Sequence, residues 1–95
     1  MEELIFEWDD DKNRKNIEKH GISFEVAKHV FEDEFYIERY DTEHSIDEDR
    51  YQVIGLVYDV LFVVYADKNE RIRLISARLA EDDEKEVYYA SRKQS

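Results

Sequence analysis

The stretch Arg71-Ile72-Arg73-Leu74-Ile75-Ser76-Ala77-Arg78 decides the fold, because it has the composition of a β-strand and yet carries three arginines. Its aliphatic and β-branched residues predict a strand, with a helix after it. An arginine in a half-buried strand loses hydration unless it is paired or bound to a ligand. Two interpretations stay open: these arginines pair with acids elsewhere in the chain, or the strand binds phosphate, whose oxygens suit the planar guanidinium.

Side chains of an ideal strand alternate between its two faces. On this pattern Arg73 and Arg78 point to opposite sides, so Arg78 must turn at the end of the strand if the two are to hold one phosphate. The pattern predicts one face with Arg71, Arg73, Ile75 and Ala77, and another with Ile72, Leu74, Ser76 and Arg78.

Two further β-rich runs precede this strand and predict an antiparallel meander with it. The three strands are expected at residues 50–57, 60–66 and 71–78, with Lys68-Asn69 as the last turn. Residues 61–65 are apolar on both faces, which indicates a central strand covered by helices.

Capping signals predict the flanking elements. After a short first strand at residues 4–8, Asp9 is a good N-cap and Gly21 a good C-terminal residue for a very polar first helix. Ser23 begins a second helix, and a short edge strand is expected at residues 35–39. The last helix, residues 81–91, has a poor N-cap, because Ala80 stands where a Ser or Thr is expected.

Composition limits the class of protein. The chain has 95 residues, which predicts one domain over residues 1–95. It has no cysteine, so disulfides and thiolate chemistry are excluded, as suits a reducing cytoplasm. No apolar run is long enough for a signal peptide or a membrane span. We therefore expect a cytoplasmic protein with no membrane partner.

The charge is strongly negative and unevenly distributed. The formal net charge is −11; residues 1–49 hold 17 acids and 6 Lys or Arg, whereas residues 50–95 hold 8 of each. A uniform surface of this charge would repel RNA and would suit a basic protein partner. The strands of the second half can still carry a locally positive patch.

Two runs are specific enough to indicate a family. Residues 8–21 have the pattern W-D-x-x-K-x-x-x-N-x-x-K-H-G and residues 72–78 have I-R-x-I-S-A-R, with Asp41, His44 and Glu48-x-Arg50 between them. In these positions the chain resembles the BrnT-type toxins of bacterial toxin–antitoxin pairs, a branch of the RelE-like fold. The resemblance implies an α+β domain whose small antiparallel sheet is flanked by two N-terminal helices and one C-terminal helix.

The same resemblance implies a function. A toxin of this type is a metal-independent ribonuclease that a cognate antitoxin protein holds inactive. It contacts DNA only indirectly, through the antitoxin. It can also form an oligomer with the antitoxin. RNA is the implied substrate and no cofactor is expected; the three histidines also lack metal-ligand spacing. The alternative is a catalytically inactive interaction domain of the same fold, whose arginines pair with the excess acids.

Metal-free cleavage of RNA uses the neighbouring 2′-hydroxyl as nucleophile, so the enzyme must stabilise phosphate charge and move protons. Arginine serves the charge but stays ionised, whereas histidine carries protons near neutral pH. His20 is a proton carrier or a helix-end cap, and His44 lies in an acidic loop that suits either solvent or catalysis. Together with the family motifs, this reasoning gives as catalytic candidates Arg73, Arg78, Arg50, His20, Glu48 and Ser76.

The RNA-binding candidates are Arg71 and Tyr88. Arg71 begins the arginine-rich strand, and Tyr88 either stacks on a base or belongs to the core or an interface. The acid excess of residues 1–49, the polar first helix and the seven tyrosines indicate a docking face for the antitoxin. We therefore expect the toxin-binding segment of the antitoxin to be basic and to contact the N-terminal half.

Overall fold

The computed structural model describes residues 3–93 and places helices on both faces of one sheet. The α+β class, with two N-terminal helices and one C-terminal helix, is confirmed. In chain order the elements are β1 (Ile5–Glu7), α1 (Asp10–His20), α2 (Phe24–Ala27), a 3₁₀ helix (Lys28–Glu32), β2 (Ile37–Tyr40), β3 (Arg50–Leu56), β4 (Val60–Lys68), β5 (Arg71–Leu79) and α3 (Asp82–Lys93).

The described strands form one sheet in the order β1-β5-β4-β3-β2. β3, β4 and β5 form the predicted antiparallel meander, within two residues of the expected bounds. β2 adds an antiparallel edge strand beside β3, and β1 pairs in parallel with the start of β5, so the sheet is mixed and not antiparallel throughout as expected. The last turn is shifted by one residue from the prediction: Asn69 and Glu70 have φ of 54° and 66°, as in a two-residue type I′ turn.

β4 lies at the centre of the sheet and is buried on both faces, as its composition predicts. One face packs with α2 and the 3₁₀ helix in a core that includes Phe24 and Val63. The other face packs with α3 in a core that includes Phe62 and Tyr88. The sheet therefore separates an N-terminal core from a C-terminal core.

α1 begins and ends at the predicted residues. Asp9 Oδ1 accepts hydrogen bonds from the backbone N–H groups of Asp11 and Lys12 at 2.9 and 3.1 Å, and Gly21 has φ of 72°. These contacts satisfy backbone groups that a helix leaves unpaired at its two ends.

The second helix differs from the prediction, because it is α-helical for one turn and then tightens into the 3₁₀ helix. This tighter segment packs directly on β3 at Gly55. A Cβ at Gly55 would lie 3.1 Å from Cβ of Val30 and 3.2 Å from its carbonyl oxygen. The absence of a side chain at Gly55 therefore permits the close approach of the 3₁₀ helix to the sheet.

The polar helix α1 is held against the sheet by one buried side chain. β1 pairs only with Arg71–Arg73, so the outer edge of β5 needs other partners beyond that point. Asn16 supplies them: its Oδ1 accepts from the N–H of Ala77 at 3.1 Å, and its Nδ2 donates to the carbonyl oxygens of Ala77 and Ile22 at 2.8 and 2.9 Å. Asn16 thus continues the edge where β1 ends.

A bulge in β5 overturns the predicted alternation of that strand. Val64 on β4 pairs with Ser76, whereas the next residue, Tyr65, pairs with Leu74, so Ile75 has no partner in the register. The extra residue reverses which face the following side chains take. The prediction that Arg73 and Arg78 face opposite sides is therefore wrong. The side chains on the face turned toward α3 are Arg73, Ser76 and Arg78, opposite Ala66, Val64 and Phe62.

Replacing Asn16 with alanine should destabilise the fold. The change removes three buried hydrogen bonds and leaves Ala77 without side-chain partners at the sheet edge. We expect the free energy of unfolding to fall by about 2–3 kcal/mol, since each buried polar group left unpaired costs about 1–3 kcal/mol. Urea denaturation measures the change. Lys15→Ala, at an exposed position of α1, should alter stability by less than about 0.5 kcal/mol. Equal losses in both variants would contradict this role of Asn16.

Candidate functional site

A cleft of about 450 Å³ opens on the face of the sheet turned toward α3. Its floor is a row of paired residues across four strands: Arg39 lies opposite Gln52, Gln52 opposite Val64, and Val64 opposite Ser76. The loop 41–49 forms one wall and the first turn of α3 another. The polar groups that line the cleft include three arginines, Arg39, Arg50 and Arg78, together with Asp41 and His44.

The guanidinium of Arg50 makes no good hydrogen bond with the described part of the chain. Its Nη2 lies 3.7 Å from Glu48 Oε1, which is too far for a good hydrogen bond. Its buried Nε has no hydrogen-bond partner within residues 3–93. The Arg50 side chain is 33% exposed, so its terminal Nη groups, rather than the enclosed Nε, can reach a ligand acceptor in the cleft.

Arg73 lies on the same face as Arg50, two strands away. Both are paired in register with Ala66 of β4, which stands between them with a small side chain. Arg73 makes no ion pair or side-chain hydrogen bond with the described part of the chain, but it is not among the residues that line the cleft. The bulge thus brings Arg73 beside the site without placing it inside.

Arg78 is held by an acid of α3. Its Nη1 and Nη2 donate to the two carboxylate oxygens of Glu84 at 2.8 and 2.9 Å, and its guanidinium lies 4.1 Å from the ring centre of Phe62. The hydrogen bonds that Arg78 donates to Glu84 raise the pKa of Arg78, although burial opposes the shift. Arg78 is therefore fixed at the cleft with both terminal nitrogens engaged, and the carboxylate of Glu84, which also lines the cleft, offsets part of its charge.

Glu84 also caps the start of α3, a role that we did not predict. Its Oε1 accepts from the backbone N–H of Glu81 at 2.8 Å, which is one half of a capping box. Because α3 begins at Asp82, its N-cap is Glu81, and the expectation that Ala80 occupies this position is wrong by one residue. Burial alone would raise the pKa of Glu84, but the bonds from Arg78 and from the Glu81 N–H outweigh it and hold the pKa below its usual value.

Asp41 and His44 form a carboxylate–imidazole pair at the rim of the cleft. His44 Nδ1 lies 3.1 Å from both carboxylate oxygens of Asp41, whose Oδ1 also accepts from the His44 backbone N–H at 3.2 Å. Asp41 is 5% exposed. Burial would raise its pKa, but the hydrogen bonds from His44 and Gln52 outweigh it, so the pKa is lowered.

The ionised Asp41 fixes the tautomer of His44. A carboxylate only accepts, so Nδ1 must carry a proton, and Nε2 is left for another partner. Ser45 anchors the loop beneath: its Oγ donates to the carbonyl oxygen of Asp41 at 2.6 Å and accepts from the N–H of Arg50 at 2.9 Å. The imidazole is thereby held in a defined position relative to Arg50.

The structure brings only some of the predicted catalytic residues together. Arg50, Arg78 and Ser76 line the cleft, and Glu48 lies beside Arg50 in the loop that closes it. His20 lies in a separate groove along α1, so it is not placed in the cleft. Arg71 lies at the start of β5, where its Nη1 is 3.6 Å from Glu7 Oε1. It does not line the cleft either.

Tyr88 has a structural position. Its side chain is fully buried in the C-terminal core, and its hydroxyl donates a hydrogen bond to Asp33 Oδ2. Burial and the Asp33 carboxylate raise the pKa of Tyr88 to about 12. The expectation that Tyr88 stacks on an RNA base is therefore wrong, and the alternative that it belongs to the core is right.

Sequence reasoning noted Asp41 and His44 without committing to either as a site residue, and it left out Arg39 and Gln52, which also line the cleft. The spacing of Asp41 and His44, at i and i+3 in a loop next to Arg50, was the available signal. Arg39 and Gln52 gave none, because only the strand register places them opposite each other, where Arg39 Nε donates to Gln52 Oε1 at 3.0 Å.

The chemistry of the cleft is that of an anion site with a proton carrier. Three guanidiniums outnumber the two carboxylates that line the cleft, and the imidazole of His44 can accept or donate a proton. Within residues 3–93, no group of three or more His, Cys, Asp or Glu side chains is arranged to hold a metal ion. No helix in the same range is long and apolar enough to cross a membrane.

Comparison with known proteins identifies relatives of this chain. Residues 8–84 match the family model of the ribonuclease toxin BrnT of type II toxin–antitoxin systems. Among solved structures, the ribonuclease toxin BrnT of Brucella abortus is similar, with a TM-score of 0.66 and 21% sequence identity over 84% of this chain and 100% of that chain. At that identity the likeness shows a common fold. No curated protein sequence matches.

Replacing Glu84 with glutamine should destabilise the protein and flatten its response to acid. At neutral pH we expect a loss of about 1–2 kcal/mol, since a largely buried carboxylate loses its charge beside a partly exposed arginine. The pKa of Glu84 is lowered on folding. Its contribution is therefore present above the unfolded pKa of about 4.3 and is lost as pH falls through the folded value.

Urea denaturation between neutral pH and pH ~3 measures both effects. Glu81→Gln is the matched control, because Glu81 is exposed and lies 3.5 Å from Arg78 without a hydrogen bond. The wild type and this control should lose stability on acidification more steeply than Glu84→Gln. Parallel curves for all three proteins would show that Glu84 is not stabilised as an anion.

Proposed function

Because the chain belongs to the family of BrnT ribonuclease toxins of type II toxin–antitoxin systems, whose partner is an antitoxin, we propose that its cleft binds one RNA phosphate and cleaves the strand without a metal ion. The unpaired guanidinium of Arg50, which lines the cleft, carries this proposal. Its partly exposed Nη groups need an acceptor, and a phosphate oxygen between Arg50 and Arg78 supplies one.

The arginines have different roles in this proposal. Arg50 binds the phosphate directly through its unpaired Nη groups. Arg78 has a secondary role, since Glu84 engages both of its Nη groups and offsets part of its charge. Arg39 lies further along the floor, beside Gln52. Fixed positive charge of this kind stabilises the extra negative charge that develops on the phosphorus centre.

His44 is the proton carrier in the proposed reaction. The 2′-oxygen of the ribose attacks the adjacent phosphorus while Nε2 of His44 takes the hydroxyl proton. The bond from phosphorus to the 5′-oxygen breaks, and that oxygen takes a proton from water in the open cleft. The products are a 2′,3′-cyclic phosphate and a 5′-hydroxyl. Asp41 is a positioning residue, because it holds the imidazole in the tautomer that can accept.

One observation favours the alternative of a catalytically inactive interaction domain. The bidentate pair of Arg78 with Glu84 is the kind of contact that such a domain would make with its excess acids. Arg50 and Arg73 argue against this alternative, since neither is paired in that way. Activity of the chain by itself distinguishes the two.

We also propose that the antitoxin docks through a basic segment on the N-terminal half. The loop 41–49 at the rim of the cleft supports this, because it carries Glu43, Asp47 and Asp49 around Ile46, which is 84% exposed. An exposed apolar side chain ringed by acids suits a segment that combines basic and apolar residues. Docking here would cover the cleft from one side.

The proposed reaction predicts which variants lose activity. Expressed without its antitoxin, the wild type should arrest growth, and the purified protein should cleave single-stranded RNA in the presence of a metal chelator. Arg50→Ala should lower the cleavage rate on the order of 10²-fold, the effect of removing one charge-stabilising group. Arg14→Ala is the control, because Arg14 pairs with Asp11 and does not line the cleft. Intact RNA and normal growth with the wild type would favour the inactive domain.

The roles of His44 and Asp41 predict a change in pH dependence. His44→Asn should abolish the limb of the pH–rate profile on which activity rises with pH, whereas Arg50→Ala should keep that limb at a lower rate. Asp41→Asn should lower kcat on the order of 10²-fold with little change in KM, because the amide no longer fixes the tautomer. A full acid limb in His44→Asn would remove His44 from the mechanism.

Association with the antitoxin should slow as salt rises. Opposite charges steer the encounter of two proteins, and salt screens that attraction. Stopped-flow association over a tenfold range of salt measures the dependence. A rate that is independent of salt would show that the acids of the N-terminal half only keep the surface hydrated.

A further inference from the structure

A groove along α1 continues the cleft. Its volume is about 240 Å³, and Ile75 and Ser76 of β5 line both the groove and the cleft. The two surfaces therefore meet at the bulge, where β5 has no register partner for Ile75. The α1 side of the groove is lined by Lys12, Lys15, Lys19 and His20. This set, with Ile75 and Ser76, is called the lysine groove below.

The lysines of this groove are available to bind an anion. All three are exposed, and Lys12 and Lys19 make no ion pair within residues 3–93. Lys15 lies 3.5 Å from Asp11, which Arg14 also contacts. Their spacing of three and four residues places them on one face of the helix. From Lys12 to Lys19 they extend for about 10 Å along the helix axis, at ~1.5 Å per residue.

The position of this face follows from the packing of α1. Asn16 is buried against the edge of β5, and Lys12 and Lys19 precede and follow it by one turn. The same contact that attaches the helix therefore turns its lysines toward the bulge. A protein of net charge −11 thus presents a run of cations that leads directly out of its arginine cleft.

We propose that the lysine groove binds the RNA strand next to the scissile phosphate, through contacts with backbone phosphates. The proposal rests on the proposed function, because it assumes that a phosphate occupies the cleft. An RNA strand whose phosphate occupies the cleft must extend out of the cleft past Ser76. The acidic surface elsewhere on the protein repels the other phosphates of the strand. Lysine contacts with phosphates add affinity without reading sequence, and no Phe, Tyr or Trp side chain lines the groove to stack on a base.

The favoured occupant is RNA rather than the antitoxin. The antitoxin segment proposed above is basic, and three lysines would repel it. An antitoxin that reached this groove would need an acidic segment, which the acid-rich loop at the cleft would in turn repel. The two partners therefore have complementary surfaces: the lysine groove for RNA and the acidic loop for the antitoxin.

Binding of uncleavable RNA tests the groove separately from catalysis. The probes are a fully 2′-O-methylated octauridylate and the matching diuridylate, titrated into the wild type and Lys12→Gln/Lys19→Gln by fluorescence anisotropy. The wild type should bind the octamer more tightly than the dimer, and the double variant should lose about tenfold for the octamer only. The slope of log K against log[salt] for the octamer should fall by about 1.4, since each lost single-strand phosphate contact removes ~0.7.

Lys93→Gln is the control, because Lys93 is an exposed lysine at the far end of α3 and lines neither surface. It should bind both probes like the wild type. Equal octamer affinity in the wild type and the double variant would overturn the proposal. If the double variant instead lost affinity for the purified antitoxin alone, the groove would be a protein interface. Failure of the wild type to cleave RNA, with the length-dependent binding retained, would reject catalysis and keep the groove.

Discussion

The bulge at Ile75 is the constraint on which both the core and the cleft depend. β5 must supply apolar side chains to the N-terminal core and cations to the opposite face of the sheet. Apolar and cationic residues do not alternate regularly along its sequence, so a regular strand could not place both sets correctly. The unpaired residue resets the alternation, so that Leu74 and Ala77 both face the N-terminal core while Arg73 and Arg78 both lie on the opposite face, which is turned toward α3. Without it, one residue of each pair would lie on the wrong side. Bulges occur beside active sites for this reason, since they re-aim side chains within a continuous strand.

The acids of this protein give it structure as well as net charge. Asp33, Asp41 and Glu84 are each placed where several donors converge. Asp33 accepts from the backbone N–H groups of Phe35 and Leu56 and from the hydroxyl of Tyr88, so it ties the end of the 3₁₀ helix to β3 and α3. Burial alone would raise the pKa of all three, but the hydrogen bonds outweigh it and lower each one. A large negative net charge is thus compatible with a local anion site, because some of the acids are engaged in fixing the loop and helix that surround it.

The comparison of sequence and structure is most informative at the histidines and at Tyr88. His20 lies within a family-like motif, yet it ends a helix outside the cleft, whereas His44 lies in a loop without regular structure and reaches the cleft rim. The difference arises because helix α1 is attached to the edge of the sheet, while the loop 41–49 folds over its face. Tyr88 was a candidate for RNA binding, but its hydroxyl donates a hydrogen bond to Asp33 inside the protein, so its position is explained by packing. A motif identifies the family, but it does not show which of its residues lie close together in the folded protein.

The sequence by itself determined the meander, both ends of α1 and the family, because these depend on local rules. Turn residues, caps and strand composition act over a few neighbouring residues, and motif spacing needs no contact at all. The tertiary structure decided the face of each arginine in β5, the pairing of Arg78 with Glu84, and the meeting of Asp41, His44 and Arg50. Those outcomes depend on strand register across the sheet, where one extra residue exchanges the two faces. The strand register depends on how the two cores pack against the two faces of the sheet at the same time. No single stretch of the chain determines it.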